Sequence, residues 1–251
     1  MENKCVVVIP SRYGSVRLPG KPLVEIHGQP MIQWVYERVL KSGVTEIIIA
    51  TDDERIFQAC KKFGARVELT NKEHQSGTDR IAELATRLNW PDDKIILNVQ
   101  GDEPFIPPKL ISQVEALIRH DTDAAMATLV TPISSMIEWE DSNIVKVVTD
   151  CNGRALYFSR APIPWPREGY ESGGLRHIGI YAYRAWALKK IASSPPCPPE
   201  KKERLEQLRA LWLGLSISVA TACDVPPKGI DTQEDLDAIR QKPLKKMVLA
   251  T

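Results

Sequence analysis

The chain has 251 residues, 43% hydrophobic and 26% charged, with a formal net charge of +1. That balance suits one substantial core or two closely joined lobes, and it excludes both charge-driven disorder and a general basic field for nucleic acid, so any anion site has to be local. The five cysteines (Cys5, Cys60, Cys151, Cys197, Cys223) are scattered, odd in number and free of any Cys-x-x-Cys pair, which argues against a disulfide framework or zinc cage and for a reducing cytoplasm.

The first apolar run, residues 5–9, is too short for a signal segment, and no stretch approaches membrane-spanning length, so a soluble, unexported protein is expected. Short β-branched runs then alternate with amphipathic stretches, the pattern of parallel strands joined by helical crossovers. "CVVVIP" (5–10) precedes "PMIQWVYERVLKSG" (30–43), where Ile32, Val35, Val39 and Leu40 keep helical spacing and Gly43 sits at the stop. "TEIIIAT" (45–51) leads to "DERIFQACKKFG" (53–64), "ARVELT" (65–70) to "TDRIAELATRLNW" (78–90), and "KIILNVQ" (94–100) to "PKLISQVEALIRH" (108–120). The loops after these strands, namely the opening stretch, "TDDE", "NKEHQSG" and "GDEPFIP", define the edge where open α/β sheets bind ligands.

The second half changes rhythm. "NIVKVVTD" (143–150), Asn152-Gly153 and "RALYFSRA" (154–161) predict a hairpin, because Asn-Gly accepts the positive φ of a tight turn. "LRHIGIYAYR" (175–184) predicts another strand, "SSPPCPP" (193–199) a rigid irregular linker, and "EKKERLEQLRALW" (200–212) a helix. "SISVATA" (216–222) predicts a late strand and "DTQEDLDAIRQ" (231–241) a final helix. No internal repeat and no clear interdomain linker are present, so the expected architecture is one α/β domain over 1–251: a mostly parallel, Rossmann-like sheet flanked by helices, with an antiparallel hairpin element in the second half.

Chemistry-bearing residues gather at the loops. A glycine-bearing turn after a strand points backbone N–H groups at phosphate, and Arg12, Arg17 and Lys21 add fixed charge; a solvated basic loop is the bland alternative. Gly-Lys-Ser/Thr and Gly-x-Gly-x-x-Gly are both missing here, which argues against a Walker loop and against a Rossmann oxidoreductase. Asp102 and Glu103 follow an apolar run and a glycine, placing hard oxygen ligands for Mg²⁺ at the same edge, or simply ending a strand. Asp231 offers a second carboxylate, but it also precedes a helix as a capping aspartate would, with Glu234 three residues on, and the local sequence favours the cap. Ser76 or Thr78 contacts a nucleotide or caps a helix, and His177, beside Arg176 and near Tyr181, reads alone as a structural histidine.

Taken in order, "IPSRYGSVRLPGKPL", "HQSGTDRIAE", "NVQGDEPFI", "ALYFSRAPIPW", "RHIGIYAYR", "LEQLRALW" and "GIDTQEDL" resemble the motifs of the 3-deoxy-manno-octulosonate (Kdo) cytidylyltransferases, up to about Arg240. The loop "REGYESGG" (167–174) and the tail "KPLKKMVLAT" (242–251) depart from the pattern. The resemblance implies CTP plus Kdo giving CMP-Kdo plus pyrophosphate, with Mg²⁺, in a cytoplasmic homodimer serving lipopolysaccharide assembly, the antiparallel element at about 130–190 carrying the sugar side and the dimer contact. It implies that Arg12, Ser15, Lys21, Ser76 and Asp102 bind the nucleotide, and that Asp102 and Asp231 hold the metal, which outweighs the capping reading. Arg12, Lys21, Asp102 and Asp231 are then the catalytic set, while Gln100, Arg160, His177, Tyr181, Glu206 and Gln207 surround the sugar. Another acidic sugar, such as amino-Kdo or a sialic acid, stays open, as does a non-catalytic nucleotide-binding regulator, which the presence of both Asp102 and Asp231 disfavours.

Overall fold

Alternating burial along each strand sets the architecture. In the first strand, β1 (Val6–Ser11), Val6 and Val8 face one apolar cluster while Val7 and Ile9 face another. The same alternation recurs in β4 (Ile47–Thr51) and β6 (Ile95–Asn98), as expected of strands covered on both faces. A computed structural model describes residues 5–15, 17–167 and 173–243; most of the "REGYESGG" loop and of the tail falls outside the described residues. The remaining strands of the first half are β5 (Val67–Leu69) and a small hairpin of β2 (Glu25–Ile26) and β3 (Gln29–Pro30). Helices α1 (Met31–Lys41), α2 (Glu54–Lys62) and α4 (Pro108–His120) cover one face of the large sheet, and α3 (Gly77–Arg87) covers the other.

The four βα units lie where the pattern predicts them. β1 pairs in parallel with β4 and β6, and β4 with β5. Gly43 and Gly64 take positive φ at the helix stops, a conformation open to glycine without a Cβ penalty. One detail differs: Leu40 is exposed, because it lies on the flank of the Ile32–Val35–Val39 stripe and α1 ends one residue later.

In the second half come β7 (Met126–Pro132), α5 (Met136–Glu140), β8 (Lys146–Thr149), β9 (Ala155–Ser159) and β10 (Leu175–Arg184). After them follow α6 (Ala185–Ala192), α7 (Pro198–Glu203), α8 (Gln207–Trp212), β11 (Ile217–Thr221) and α9 (Gln233–Arg240). Among the described residues the sheet has nine strands, in the order β11-β7-β10-β6-β1-β4-β5, with the β8–β9 hairpin attached through β10. β10 runs antiparallel between β6 and β7, so the antiparallel element is woven into the main sheet.

Three sequence expectations change. The β8–β9 turn is a longer loop in which the Asp150 carboxylate accepts from Asn152 N and Arg154 N, and Gly153 takes the positive φ. The "SSPPCPP" linker ends inside α7, whose first turn is Pro198-Pro199. The helix expected at 200–212 breaks at Arg204, which takes a left-handed conformation (φ 54°). A buried Glu200–Arg209 ion pair bridges the break and folds α8 back against α7. β7 and α6 carry no sequence expectation of their own.

Candidate active site

The strand order reverses direction around β1, and a cleft of about 370 Å³ opens at the carboxyl ends of β1 and β6. Its walls come from the opening loop (Ser11, Arg12, Ser15, Arg17, Lys21), the α3 entry (His74 to Gly77, with Arg80), the β6 exit (Gln100 to Asp102), Glu206 and Asp231.

Three distant segments are drawn together by a third apolar cluster. Leu18 of the opening loop, Phe105 after β6, and Ile230 before α9 pack with Ile26, Met31 and Trp34. Ile230 N donates to Asp102 O at 3.1 Å, which fixes the next residue, Asp231, beside Asp102. Lys21 follows Gly20, whose left-handed conformation (φ 67°) favours a residue without a Cβ, and opens a 3-10 turn over Lys21–Leu23. Its buried Nζ donates to Asp102 Oδ2 at 2.6 Å and to Asp231 Oδ1 at 2.8 Å, and exposed Arg17 adds a 3.0 Å contact to Asp231 Oδ1. A Cβ on Gly101 would lie 2.9 Å from Pro10 O, so only glycine lets the β6 exit pass this close to β1.

Asp231 does not cap α9. Thr232 occupies that position and forms a capping box with Asp235, leaving the Asp231 carboxylate free to face Lys21. Ser76 does cap α3, accepting from Asp79 N at 3.1 Å, while also lining the cleft. Burial, followed by repulsion from Asp102 and Asp231, pushes Glu103 up to about 8. Arg12 is exposed at the cleft wall, Ser15 accepts from Leu18 N at 3.3 Å, and the buried Ser11 Oγ has no partner.

A second cavity of about 210 Å³ adjoins the first through Gly77, Gln100 and Glu206. Tyr181, Tyr183, Thr78, Asn98 and Gln207 line it. Burial raises the Glu206 carboxyl, opposed by side-chain hydrogen bonds from Thr78 and Ser76. Of the six residues expected around a sugar, Gln100, Tyr181, Glu206 and Gln207 thus reach this cavity. His177 and Arg160 do not line it. The His177 ring packs between Phe158 and Tyr181, each 5.2 Å away, with Nε2 3.1 Å from Thr128 Oγ1, and burial pushes its pKa down to about 3. Arg160 spans Glu203 O and Ser142 O, and its N–H donates to the Glu203 carboxylate, so it anchors the chain just before the Arg204 break.

Sequence reasoning missed Arg80, Asn98 and Tyr183. Arg80 sits one helical turn past Ser76 and is held by Asp52 at 2.7 Å and by Thr70. The legible signal for Asn98 was an amide closing an otherwise apolar strand; Tyr183 had none apart from its i, i+2 spacing to Tyr181.

Two carboxylates around one ammonium are a hard-oxygen donor set. Among the described residues no group of three or more His, Cys, Asp and Glu side chains is arranged to hold a metal ion. Such a pair fits Mg²⁺, which characteristically takes one or two carboxylates and fills its shell with phosphate oxygens and water, better than it fits an ion needing a full protein cage.

The sequence profile of the cytidylyltransferase family matches residues 6–217. A 3-deoxy-manno-octulosonate cytidylyltransferase of Pseudomonas fluorescens is 52% identical over 96% of this chain and 98% of its own length. One of Thioalkalivibrio sulfidiphilus is 54% identical over 94% and 97%. A solved CMP:2-keto-3-deoxy-manno-octonic acid synthetase complexed with CTP superposes with a TM-score of 0.88 at 44% identity, covering 94% of this chain and 97% of that one. A 4-diphosphocytidyl-2C-methyl-D-erythritol synthase, at 14% identity and a TM-score of 0.63, shares the fold. With the profile and these near-full-length relatives in agreement, the chain belongs to the 3-deoxy-manno-octulosonate cytidylyltransferase family.

Proposed function

We propose that this protein transfers the cytidylyl group of CTP to the anomeric hydroxyl of Kdo, giving CMP-Kdo and pyrophosphate for lipopolysaccharide assembly. The observation that carries the reading is the convergence of Lys21, Asp102 and Asp231 from three remote segments at the mouth of the sheet. Arg12, Lys21 and Arg17 meet the triphosphate charge, and Ser15 and Ser76 lie on the two loops that enclose the nucleotide. The sugar takes the adjoining cavity, oriented by Gln100, Tyr181, Glu206 and Gln207. Arg160 and His177 act from behind that wall, one anchoring the 204–207 segment and the other backing Tyr181 as a neutral ring.

The sugar oxygen forms a bond to the α-phosphorus as the bond to the bridging oxygen breaks, its hydroxyl proton is released to solvent, and pyrophosphate leaves in line. Lys21 and Arg12 stabilise the departing charge, and positioning supplies most of the rate. Asp102 and Asp231 would hold Mg²⁺, which supplies charge neutralisation at the phosphates. No nucleophilic side chain is required, because the substrate brings its own nucleophile. We further propose that the chain works as one domain, as a cytoplasmic homodimer whose contact includes the exposed Leu156 and Tyr157 of β9. No helix among the described residues is long and apolar enough to cross a membrane.

The test is pyrophosphate release with the four common nucleoside triphosphates crossed against Kdo, amino-Kdo and sialic acid, with and without Mg²⁺. Release confined to CTP, Kdo and Mg²⁺ is expected. Preference for another sugar revises the substrate, and CTP binding without turnover overturns the enzyme.

A further inference from the structure

One residue lining the second cavity carries a polar atom that the fold itself does not satisfy. β6 places Ile95 and Leu97 in one apolar cluster and Ile96 in the other, so the alternation calls for an aliphatic residue beside Ile96 at position 98. The sequence has Asn98 there, paired across the sheet with Val8 on one side and Tyr181 on the other. The residue is 2% exposed, it lines the second cavity, and its Oδ1 has no hydrogen-bond partner. Thr78 and Tyr183 line the same cavity beside it. A buried amide oxygen without a donor is costly, whereas leucine, of nearly the same shape, would complete the apolar face at no such cost. A sequence that keeps the costly choice beside a cavity is keeping it for a ligand.

We propose that Asn98 is a specificity-determining residue whose Oδ1 accepts a hydrogen bond from one hydroxyl of the sugar. The inference rests on the reading of the second cavity as the sugar subsite. It makes the protein discriminate a hydroxyl from a hydrogen at that sugar position, because the analogue lacking the hydroxyl leaves Oδ1 unpaired.

The test compares wild type and Asn98→Leu in steady-state kinetics with CTP, Kdo and Kdo analogues each lacking one hydroxyl, together with melting temperature. In Asn98→Leu the KM for Kdo should rise about 10- to 100-fold while that for CTP moves less than about twofold. Wild type should reject one deoxy analogue by about tenfold or more, and the variant should use that analogue and Kdo equally well. The melting temperature should hold or rise, as it would not if Asn98 served only to brace Tyr183. Asn98→Asp, which keeps an acceptor oxygen, should keep the discrimination. An unchanged KM for Kdo, undiminished discrimination in Asn98→Leu, or a lowered melting temperature with both KM values rising together overturns the inference alone. Absence of wild-type turnover with Kdo overturns the sugar reading and the inference with it.

Discussion

Lys21 and Asp231 stand 210 positions apart in the chain and meet at 2.8 Å, and the same ammonium reaches Asp102 at 2.6 Å. One buried cation therefore neutralises two carboxylates that would otherwise repel. Lys21→Met should lower kcat by about 10²- to 10³-fold with CTP as the varied substrate, through loss of charge stabilisation at the leaving phosphates. The aspartate side chains are 38% exposed, so the stability cost should be about 1–2 kcal/mol, below that of a fully buried pair. Added Mg²⁺ should recover part of it. Unchanged CTP kinetics would show that Lys21 has only a structural role.

Asp102→Asn keeps shape and removes charge. Turnover should fall by about two to three orders of magnitude while the melting temperature stays close to wild type. Near-normal turnover at saturating Mg²⁺ would remove Asp102 from the assignment.

The third apolar cluster holds the site without touching its cleft. Ile230 is fully buried, and its N–H fixes the distance between the Asp102 and Asp231 segments. Ile230→Ala should cost about 2–4 kcal/mol and lower kcat even at temperatures where the variant is fully folded. Ile230→Val should recover most of both. Normal kcat in a folded Ile230→Ala would show that the aspartates keep their places without the cluster.

Much of this was legible in the sequence because local signals agreed with the tertiary outcome. Periodicity located α1 to α4 and β1, β4 and β6, and the strand-end loops located Arg12, Lys21, Asp102 and Ser76. Where the signals misled, long-range contacts decided. Asp231 and Glu234 imitate a cap, but Thr232 has the shorter reach to Asp235 N, and the Asp231 carboxylate is held by a lysine no local window includes. A helical pattern runs unbroken through Arg204, yet the Glu200–Arg209 pair stabilises a turn there. The Asn98 amide gives only a mismatch in an apolar run, and takes on meaning once β10 pairs Tyr181 beside it and both line the second cavity.

His177 gives a pH signature. Burial depresses its pKa from 6.5 to about 3, and its neighbours Thr128, Phe158 and Tyr181 supply no carboxylate to pair a charged ring. Between those values the unfolded chain binds the proton and the folded one does not. Stability is therefore fully present above pH 6.5 and declines as pH falls toward 3, less steeply than for a wholly enclosed ring because His177 is only partly buried. Chemical denaturation across this range should show wild type losing stability relative to His177→Leu. Parallel stability profiles would mean that the ring accepts a proton without penalty.

The most direct measurement is a crystal structure with CTP and Mg²⁺ bound. One triphosphate is expected, its oxygens approached by Arg12 and Lys21, with the metal between those oxygens and the Asp102 and Asp231 carboxylates. Phosphates seated in a different crevice, or a metal ligated by neither aspartate, would contradict it.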